Sequence, residues 1–343
     1  MIYDPRITPW LIDDSDFFEL HSFQQQIEFL LQYAILAPSS HNAQPWMFRI
    51  ASDGVEVFAD YSRRLGVVDP TDRELLMSIG AAITNLRVAA AHFGFETSVT
   101  YTQTPPAPEM VAFVAFRETC ATDAELGKLF PAIKERHTNR QLFEQEAVDP
   151  DVLARVCDVV ERFHETLRLI LPHDKTRVAE LAAYADQQQM SQPAYREELA
   201  EWVHGSDAKR TDGMAADGLG IAGAVSGAAE WVLRHVDVGP LQAKRDRELI
   251  ESATALIVVA AEDDRVSLVA AGEIVERLLL TITREGLHYS FFNGPLELDK
   301  LRNRIAVLVG TKRPAQLLLR VGHARAAVRP MPRRPMEEVM RTT

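Results

Sequence analysis

The stretch Ala37-Pro38-Ser39-Ser40-His41-Asn42-Ala43-Gln44-Pro45-Trp46-Met47-Phe48 decides the interpretation of this sequence. It lies between a segment with helical periodicity and a strand-like segment, and it fits neither pattern. Two prolines bracket a run of small polar side chains, which fixes the backbone and leaves amides and hydroxyls free to face a ligand. The large aromatic side chain of Trp46 predicts that the end of the loop is anchored in the core.

This stretch resembles the A-P-S-x-x-N-x-Q-P-W-x-F signature of the nitroreductase superfamily, the FMN-dependent oxidoreductases. In that family the loop lies against the isoalloxazine ring. The resemblance therefore implies that FMN is the cofactor, with NADPH or NADH as the reductant. It also implies a set of FMN-binding residues in the loop, namely Pro38, Ser39, Ser40, Asn42 and Gln44.

The charge of the chain narrows the range of ligands. Its 343 residues include 37 Lys or Arg and 49 Asp or Glu, so the formal net charge is -12. This acidic balance argues against a general nucleic-acid-binding protein. From Leu301 to the end, however, ten basic residues accompany two glutamates, so this part carries +8 and the remainder -20. A basic stretch in an acidic protein indicates a small anionic ligand.

Cysteine usage and hydropathy predict a cytoplasmic protein. Cys120 and Cys157 show no paired spacing, which fits a reducing compartment. The first residues show no basic segment followed by an apolar one, so we expect no secretory signal. No uninterrupted apolar run reaches the ~18 residues of a membrane helix, so we expect no membrane partner. The histidines lack the spacing of metal motifs, and no metal site is predicted.

An internal repeat predicts a duplicated fold. Gly80 to Gly94 and Gly272 to Gly286 span equal lengths within two long helical segments, with matching apolar positions between them. The helical segment Ile27 to Leu36 likewise matches Val152 to Val160. We interpret these matches as two copies of one unit. The alternative is coincidence between ordinary amphipathic helices.

The two halves differ in complementary ways. The second half has no copy of the signature loop, and the first has no copy of Arg136-His137-Thr138-Asn139-Arg140. Guanidinium groups and a hydroxyl are typical of phosphate binding, although this segment could also be a solvated loop before a helix at Pro150. In the nitroreductase family an R-x-[ST]-x-[KR] element holds the FMN phosphate. The resemblance therefore implies four further FMN-binding residues: Arg136, His137, Thr138 and Arg140.

Two later segments are further candidates. Arg333 and Arg334 lie between prolines, which stiffen the segment; the family's C-terminal arm supplies basic residues to the phosphate, whereas the alternative is a disordered basic tail. The family also passes a segment along the flavin N5 edge. The resemblance places Phe292, Asn293 and Gly294 there, and the alternative is a turn with core aromatics.

The surplus length of the second half falls at about residues 174–250. This segment is predicted to be a helical insertion that covers the flavin as a lid, with an exposed loop from Gly205 to Asp217; the alternative is a peripheral helical decoration. Within it, Gly218 to Gly223 matches G-x-G-x-x-G. We discount a dinucleotide-binding fold because no strand-like segment precedes the match.

The sequence thus predicts an α+β protein, a nitroreductase-like fold duplicated in one chain as a pseudo-dimer. Residues 1–130 form the first half and residues 131–343 the second, with one FMN per monomeric chain. The length and ending are similar to the single-chain Acg-type branch of the family. The predicted function is NAD(P)H-dependent reduction of a small organic acceptor, with no side chain assigned as acid or base. The alternatives are a non-catalytic FMN-binding or FMN-sequestering protein and, more remotely, a Rossmann-type dehydrogenase.

Overall fold

Two four-stranded antiparallel sheets, one in each half of the chain, form the framework of the protein. The structure is a computed structural model that describes residues 4–103, 109–119, 123–161, 166–170, 172–205, 209–216, 228–325 and 328–341. The strands of the first sheet are β1 (Trp46–Ile50), β2 (Gly54–Ala59), β3 (Phe95–Tyr101) and β4 (Met110–Glu118). Those of the second sheet are β5 (Thr166–Ile170), β8 (Ala255–Ala260), β9 (His288–Phe291) and β10 (Ala315–Gly322). A short parallel pair, β6 (Val203–His204) and β7 (Met214–Ala215), lies between them in sequence.

Helices cover these sheets. Those of the first half are α1 (Phe23–Ala34), α2 (Arg73–His92), α3 (Ala124–Gly127) and α4 (Phe130–Glu135). The second half contains α5 (Pro150–Glu161), α6 (Lys175–Ser191), α7 (Pro193–Trp202), α8 (Ala229–His235), α9 (Gly239–Ser252), α10 (Arg265–Arg284), α11 (Asp299–Leu308) and α12 (Met336–Val339). Short 3-10 helices include Thr8–Trp10, Asp14–Glu19, Ser40–Asn42, Tyr61–Arg63, Pro172–Asp174 and Gly294–Leu296.

The two sheets repeat one strand order. The first is ordered β1-β2-β4-β3 and the second β5-β8-β10-β9, so each strand occupies the place of its counterpart. In each half a long helix, α2 or α10, follows the second strand. The counterpart strands β1–β2 and β5–β8 are joined very differently, by residues 51–53 in the first half and by residues 171–254 in the second. The predicted duplication is therefore visible in the fold, and the predicted surplus lies within one strand connection.

The long helices α2 and α10 cross at two glycines, one from each half. A Cβ added at Gly80 would lie 2.0 Å from the carbonyl oxygen of Val269, and one at Gly272 would lie 2.1 Å from that of Met77. Only glycine lets the two backbones approach this closely. Because Gly80 and Gly272 are the first matched glycines of the sequence repeat, the contact relates the two halves by an approximate two-fold arrangement.

Polar contacts also join the halves along this crossing. The Arg87 Nη1 atom donates to Glu273 Oε2 at 2.6 Å, and the Tyr101 hydroxyl donates to the other oxygen of the same carboxylate. Thr84 Oγ1 donates to the Glu273 carbonyl at 2.9 Å. The helix α2 is apolar and long enough to cross a membrane by length and composition, but 89% of its apolar window is buried inside the protein. It serves here as the core of the fold.

The beginning of α2 differs from the sequence pattern. Thr71-x-x-Glu74 has the form of a capping box, yet the cap position is Asp72 in a left-handed conformation, without a side-chain capping bond. The carboxylate of Asp69 instead accepts hydrogen bonds from three backbone amides, those of Arg73, Glu74 and Leu75, at 2.8–3.0 Å. A carboxylate is well suited to this place because the helix N-terminus carries partial positive charge. Glu74 is thereby released for other contacts.

The C-terminal arm crosses from the second half to the first. Met340 forms a parallel bridge with Phe48 of β1, and the Arg341 amide donates to the Phe48 carbonyl at 2.7 Å. Val339 is fully buried in the core of the first half, as is Trp46, whose predicted anchoring role is confirmed. The arm therefore joins the second half to the core of the first. The boundary between residues 130 and 131 stays a prediction.

Candidate functional site

The signature loop adopts an unusual backbone conformation. His41, Asn42 and Gln44 have φ angles of 51°, 55° and 52°, a region that side chains other than glycine enter at an energetic cost. The Asn42 side chain offsets this cost by donating to the carbonyls of Gly213 at 3.1 Å and Pro332 at 3.0 Å. The shape of the loop is therefore held by segments that are distant in sequence.

Gln44 forms a second set of such bonds. Its Nε2 donates to the carbonyl of Thr211 at 2.8 Å, and its Oε1 accepts from the Arg334 amide at 2.8 Å. The polar groups of Asn42 and Gln44 are thus used to attach the loop to the insertion and to the C-terminal arm. Direct contact of either side chain with FMN stays a prediction.

The arginines of the C-terminal arm contact protein rather than an open space. Arg333 donates to the carbonyls of Leu36 at 2.9 Å, Ala37 at 3.1 Å and Pro332 at 2.9 Å. Arg334 donates to the carbonyl of Gln44 at 3.1 Å and, through Nη2, to that of Glu338 at 2.7 Å. The alternative of a disordered basic tail is excluded for this segment. These guanidinium groups position the signature loop, and their predicted contact with phosphate is untested.

Arg136 lies fully inside the protein. One of its terminal nitrogens donates to the Tyr289 hydroxyl and the other to the Leu36 carbonyl at 2.9 Å, while Nε lies 3.4 Å from Glu276 Oε1. Burial raises the pKa of Glu276 to about 8, against the opposing effect of Arg136. Arg136 therefore connects the end of α1 to the second half. Direct contact of Arg136 with the FMN phosphate stays a prediction.

Arg140 has different surroundings. Its only hydrogen-bonding partner within the described part of the chain is the sulfur of Met214, at 3.9 Å from Nη2. Burial lowers the pKa of this guanidinium, and the nearby charge of Arg245 lowers it further. No described carboxylate forms an ion pair with Arg140, although the charge of Asp246 acts on it. A partly buried cation in such a place favours an anion beside it. This observation fits a phosphate-bearing cofactor.

Two adjoining cavities lie at this place. The larger has a volume of about 320 Å³, and the smaller about 40 Å³. Five residues line both cavities: Pro38, Ser39, Arg140, Met214 and Phe291. The smaller cavity is also lined by Arg136, His137, Thr138 and Arg333, so it is strongly basic. The structure thus brings the signature loop and the Arg136–Arg140 segment together, as predicted, at the junction of the halves.

The histidines near the cavities are held neutral. Burial lowers the pKa of His41 to about 4. Burial, followed by the charges of Arg136 and Arg333, lowers the pKa of His137 to about 3. The His137 ring packs edge-on against Trp10 with 4.6 Å between centroids. Neither imidazole therefore adds positive charge at neutral pH, and the positive potential comes from the guanidinium groups.

The predicted Phe292-Asn293-Gly294 segment lines the larger cavity from the second half. The Asn293 side chain donates to Glu74 Oε1 at 3.1 Å, while the Ser40 hydroxyl donates to Glu74 Oε2. Glu74 thus joins the signature loop of one half to the turn of the other. Phe292 packs in the core of the second half, as the alternative of a turn with core aromatics predicts. Passage of the segment along the flavin edge stays a prediction.

The insertion forms a large part of the wall of the larger cavity. Its contributing side chains come from α6, α7, α8 and α9 and include Asp186, Gln189, Tyr195, Leu233, Gln242 and Asp246. The prediction of an exposed loop from Gly205 to Asp217 is wrong for the described residues 211–216. Residues 213–216 of this segment are buried. The reason is the docking of this segment on the signature loop, where the Gly213 amide donates to the Asn42 carbonyl at 3.3 Å. The Gly218 to Gly223 motif lies outside the described residues.

Further contacts attach the insertion to the first half. Asp212 forms an ion pair with Arg63. The Glu198 carboxylate accepts from the amides of Val67 and Val68, both at 2.8 Å. We refer to these contacts together as the latch. Sequence reasoning missed the latch and the cavity residues of the insertion because no local pattern indicates which distant surface an inserted helix covers.

Comparisons with known proteins found sequence relatives that span most of the chain. No protein-family model matches the chain. Two proteins of Mycobacterium tuberculosis strain H37Rv share the name "Putative NAD(P)H nitroreductase". Rv3131 is 28% identical over 321 residues, which cover 92% of this chain and 90% of that protein. The protein acg is 29% identical over 330 residues, which cover 91% of this chain and 94% of that protein. The structural comparison found the FMN-dependent nitroreductase NfnB from Mycobacterium smegmatis, crystallised in complex with NADPH. The match has 16% sequence identity and a TM-score of 0.41, and it covers 64% of this chain and 99% of NfnB.

Proposed function

We propose that this chain, which is related to the nitroreductase superfamily along most of its length, is an FMN-dependent oxidoreductase that reduces a small organic acceptor with NADPH or NADH. The observation that carries the proposal is the pair of adjoining cavities lined jointly by the signature loop and Arg140. The larger cavity, at about 320 Å³, is within the range of small-molecule sites. The smaller basic cavity suits a phosphate.

Specific residues would hold the cofactor. Arg140 and Thr138 would bind the phosphate, since both line the smaller cavity. Pro38 and Ser39 would lie against the ring, with Gly294 at its edge. Bound FMN would supply hydride transfer, and the protein supplies binding, orientation and exclusion of water.

The electrostatics support this assignment of the phosphate. Burial lowers the pKa of the Arg140 guanidinium. The negative charge of a phosphate group beside it would oppose this effect and stabilise the charged form. Charge-assisted bonds of this kind are about twice as strong as neutral ones. Arg136, Arg333 and Arg334 would act indirectly by fixing the loop and the cavity walls.

The proposal includes an organisation and a location for the protein. The halves 1–130 and 131–343 would share one FMN, because the signature loop and the Arg140 segment each occur once. The crossing of α2 and α10 would make the chain a monomer, since it buries the surface that a dimer of single units would use. The lack of paired cysteine spacing in the sequence suits the cytoplasm. Light scattering and quantification of FMN released per chain test the first two statements; an obligate dimer or two FMN per chain would contradict them.

The deciding experiment is anaerobic reduction of the purified, FMN-loaded protein. We expect the flavin absorbance to bleach on addition of NADPH or NADH and to return on addition of an organic acceptor. Bleaching by dithionite but by neither nicotinamide cofactor would refute the oxidoreductase proposal.

A second candidate function is FMN binding without turnover. The attachment of the insertion favours it. The insertion is bonded to the signature loop and, through the latch, to Arg63, and it covers the cavity beside the loop. The same experiment discriminates between the two functions. A storage protein would bind FMN tightly and would remain oxidised with both nicotinamide cofactors.

A further inference from the structure

The larger cavity has a polar wall opposite the signature loop. Asp186 on α6 and Asp246 on α9 both line it, and these two helices pack against each other. Burial, and then the charge of Asp246, raises the pKa of Asp186 to about 8. Burial also raises the pKa of Asp246, to about 6. Two neighbouring carboxyl groups in such a place do not readily ionise together, so the pair retains one proton at neutral pH.

The surrounding charges assign this proton to Asp186. The cationic groups of Arg245, Arg320 and Arg140 favour the ionised form of Asp246, and Gln242 Nε2 donates to Asp246 Oδ1 at 2.8 Å. Asp186 has no such support. Its Oδ2 atom is buried and has no hydrogen-bonding partner among the residues that the structure describes.

Asp186 lies close to the turn that borders the predicted ring site. On α6, Gln189 follows Asp186 by three residues, so the two side chains share one helix face. A Cβ placed on Gly294 would lie 3.2 Å from Gln189 Oε1 and 3.9 Å from the Cβ of Ala185. The face of α6 that carries Asp186 therefore packs against the Asn293–Gly294 turn.

Tyr195 provides a second open polar group. Its side chain lines the same cavity, and burial raises the pKa of its hydroxyl well above the usual range. Glu297, also in the cavity wall, is held by Gln189 Nε2 at 2.5 Å, whereas no described group accepts from the Tyr195 hydroxyl. An acid and a hydroxyl without partners thus face the space that a ligand would fill.

We propose that Asp186, paired with Asp246, is the catalytic proton donor to an organic acceptor whose reduction takes up one hydride and one proton. This inference rests on the proposed function. Reduction of a quinone to a hydroquinone adds one hydride and one proton. The hydride is supplied by the nicotinamide cofactor through the bound flavin, and the proton leaves the Asp186 hydroxyl as the acceptor carbonyl becomes a C–O–H group. Asp186 is left as a carboxylate and regains its proton from water.

The test compares two acceptors in the oxidation of the NADPH-reduced, FMN-loaded protein. 1,4-Benzoquinone takes up protons, whereas ferricyanide takes up electrons alone. General acid catalysis contributes roughly 10²–10⁴-fold, so D186N should slow the quinone reaction about 100-fold or more and remove its solvent isotope effect. Ferricyanide reduction and flavin reduction by NADPH should be unchanged. E180Q, which alters an exposed residue of the same helix, is the matched control. Equal quinone rates in D186N and the wild type would overturn the inference.

A measurement without cofactor provides an independent readout. Infrared difference spectra of the cofactor-free protein at pH 7 should show a protonated-carboxyl band of Asp186, beside that of Glu276, which D186N lacks and E180Q retains. D246N removes the neighbouring negative charge, so it should shift the titration of this band to lower pH. If the band is unaffected by D186N, the inference fails even when FMN binds and turns over. If FMN or NADPH fails to act while the band behaves as expected, the proposed function fails instead.

Discussion

The two halves of the molecule share a framework but contribute different parts of the site. The first half joins β1 and β2 by residues 51–53 and places the signature loop before β1. The second joins the counterpart strands by residues 171–254 and has only residues 162–165 between α5 and β5. The Arg136–Arg140 segment lies at the beginning of the second half. Each half thus lacks what the other supplies.

This difference shows how a repeated fold can hold a single composite site. The glycine contact between α2 and α10 keeps the halves in a near-symmetric arrangement. Hydrogen bonds between the halves then hold segments that occur only once, such as the signature loop. We expect substitutions to divide accordingly: those in shared elements should affect stability in both halves alike, and those in unique segments should affect ligand binding.

The largest effect is expected for R136A, which breaks the connection between the halves. Arg136 contacts Leu36 of the first half and Tyr289 and Glu276 of the second. R136A leaves the buried Tyr289 hydroxyl and Leu36 carbonyl without these donors, and each buried polar group left unsatisfied costs about 1–3 kcal/mol. Chemical denaturation should show their combined loss. R155A removes a surface ion pair with Glu285 and serves as the control, for which we expect a much smaller change.

The pH dependence of stability tests the contribution of Glu276, which lies beside Arg136. Because burial raises the folded-state pKa of Glu276 to about 8, the folded state holds a proton that the unfolded state releases near its model value of 4.5. This carboxyl therefore lowers stability as pH rises from 4.5 to 8. E276Q should remove that part of the pH dependence and should recover part of the loss in R136A. An unchanged pH profile in E276Q would contradict the role assigned to this pair.

The next largest effect concerns the glycine contact. G80A and G272A should each destabilise the protein by about 3 kcal/mol, at the upper end of overpacking effects, because the new methyl would meet backbone rather than a movable side chain. An ordinary helical glycine would give the opposite sign with alanine. G127A, where the nearest atom would be 3.6 Å away, is the control. A large difference between G80A and G272A would show that the crossing is not equivalent in the two halves.

A smaller effect, on binding alone, is expected for R140A. Hydrogen bonds to charged groups contribute roughly 1.5–3 kcal/mol, so FMN affinity should fall about tenfold to a hundredfold. Riboflavin lacks the phosphate and should bind the wild type and R140A almost equally, as measured by fluorescence titration. Comparable losses for both flavins would assign Arg140 a structural role.

The smallest effect is expected for the latch. E198Q weakens two hydrogen bonds from the amides of Val67 and Val68, each worth about 1 kcal/mol. The insertion should then open more often, so FMN association followed by stopped-flow should accelerate severalfold with little change in thermal stability. E201Q alters an exposed residue of α7 and is the control. Association at the wild-type rate in E198Q would show that the latch does not limit entry.

Much of the fold could be predicted from local patterns. Apolar periodicity located α2 and α10, and their final glycines, Gly94 and Gly286, adopt the positive φ angles expected after a helix. The cap of α2 could not be predicted, because Asp69 reaches three amides from outside the expected capping box. The α+β class and the duplication therefore followed from short-range signals.

The site could be predicted only in part. Conformation and hydrogen-bonding chemistry marked the signature loop and the Arg136–Arg140 segment as ligand-binding candidates. Sequence could not distinguish Arg140, which lines both cavities, from Arg136, which lines the smaller one and bonds to Tyr289 and Leu36 across the junction. The two differ only in which distant groups they meet. The carboxyl pair Asp186 and Asp246 escaped notice for the same reason, since each looks like an ordinary polar residue of an amphipathic helix.

The partners of the signature loop also determine when the site can form during synthesis. Asn42 and Gln44 are made early, yet they bond to residues 211–213 and to the Pro332–Arg334 segment near the end of the chain. Contacts this distant in sequence close late. The nascent first half therefore leaves the ribosome with its most constrained loop unsupported, and the loop takes its final shape only after the Pro332–Arg334 segment has emerged. Acquisition of a cofactor at this junction would be among the last steps of maturation.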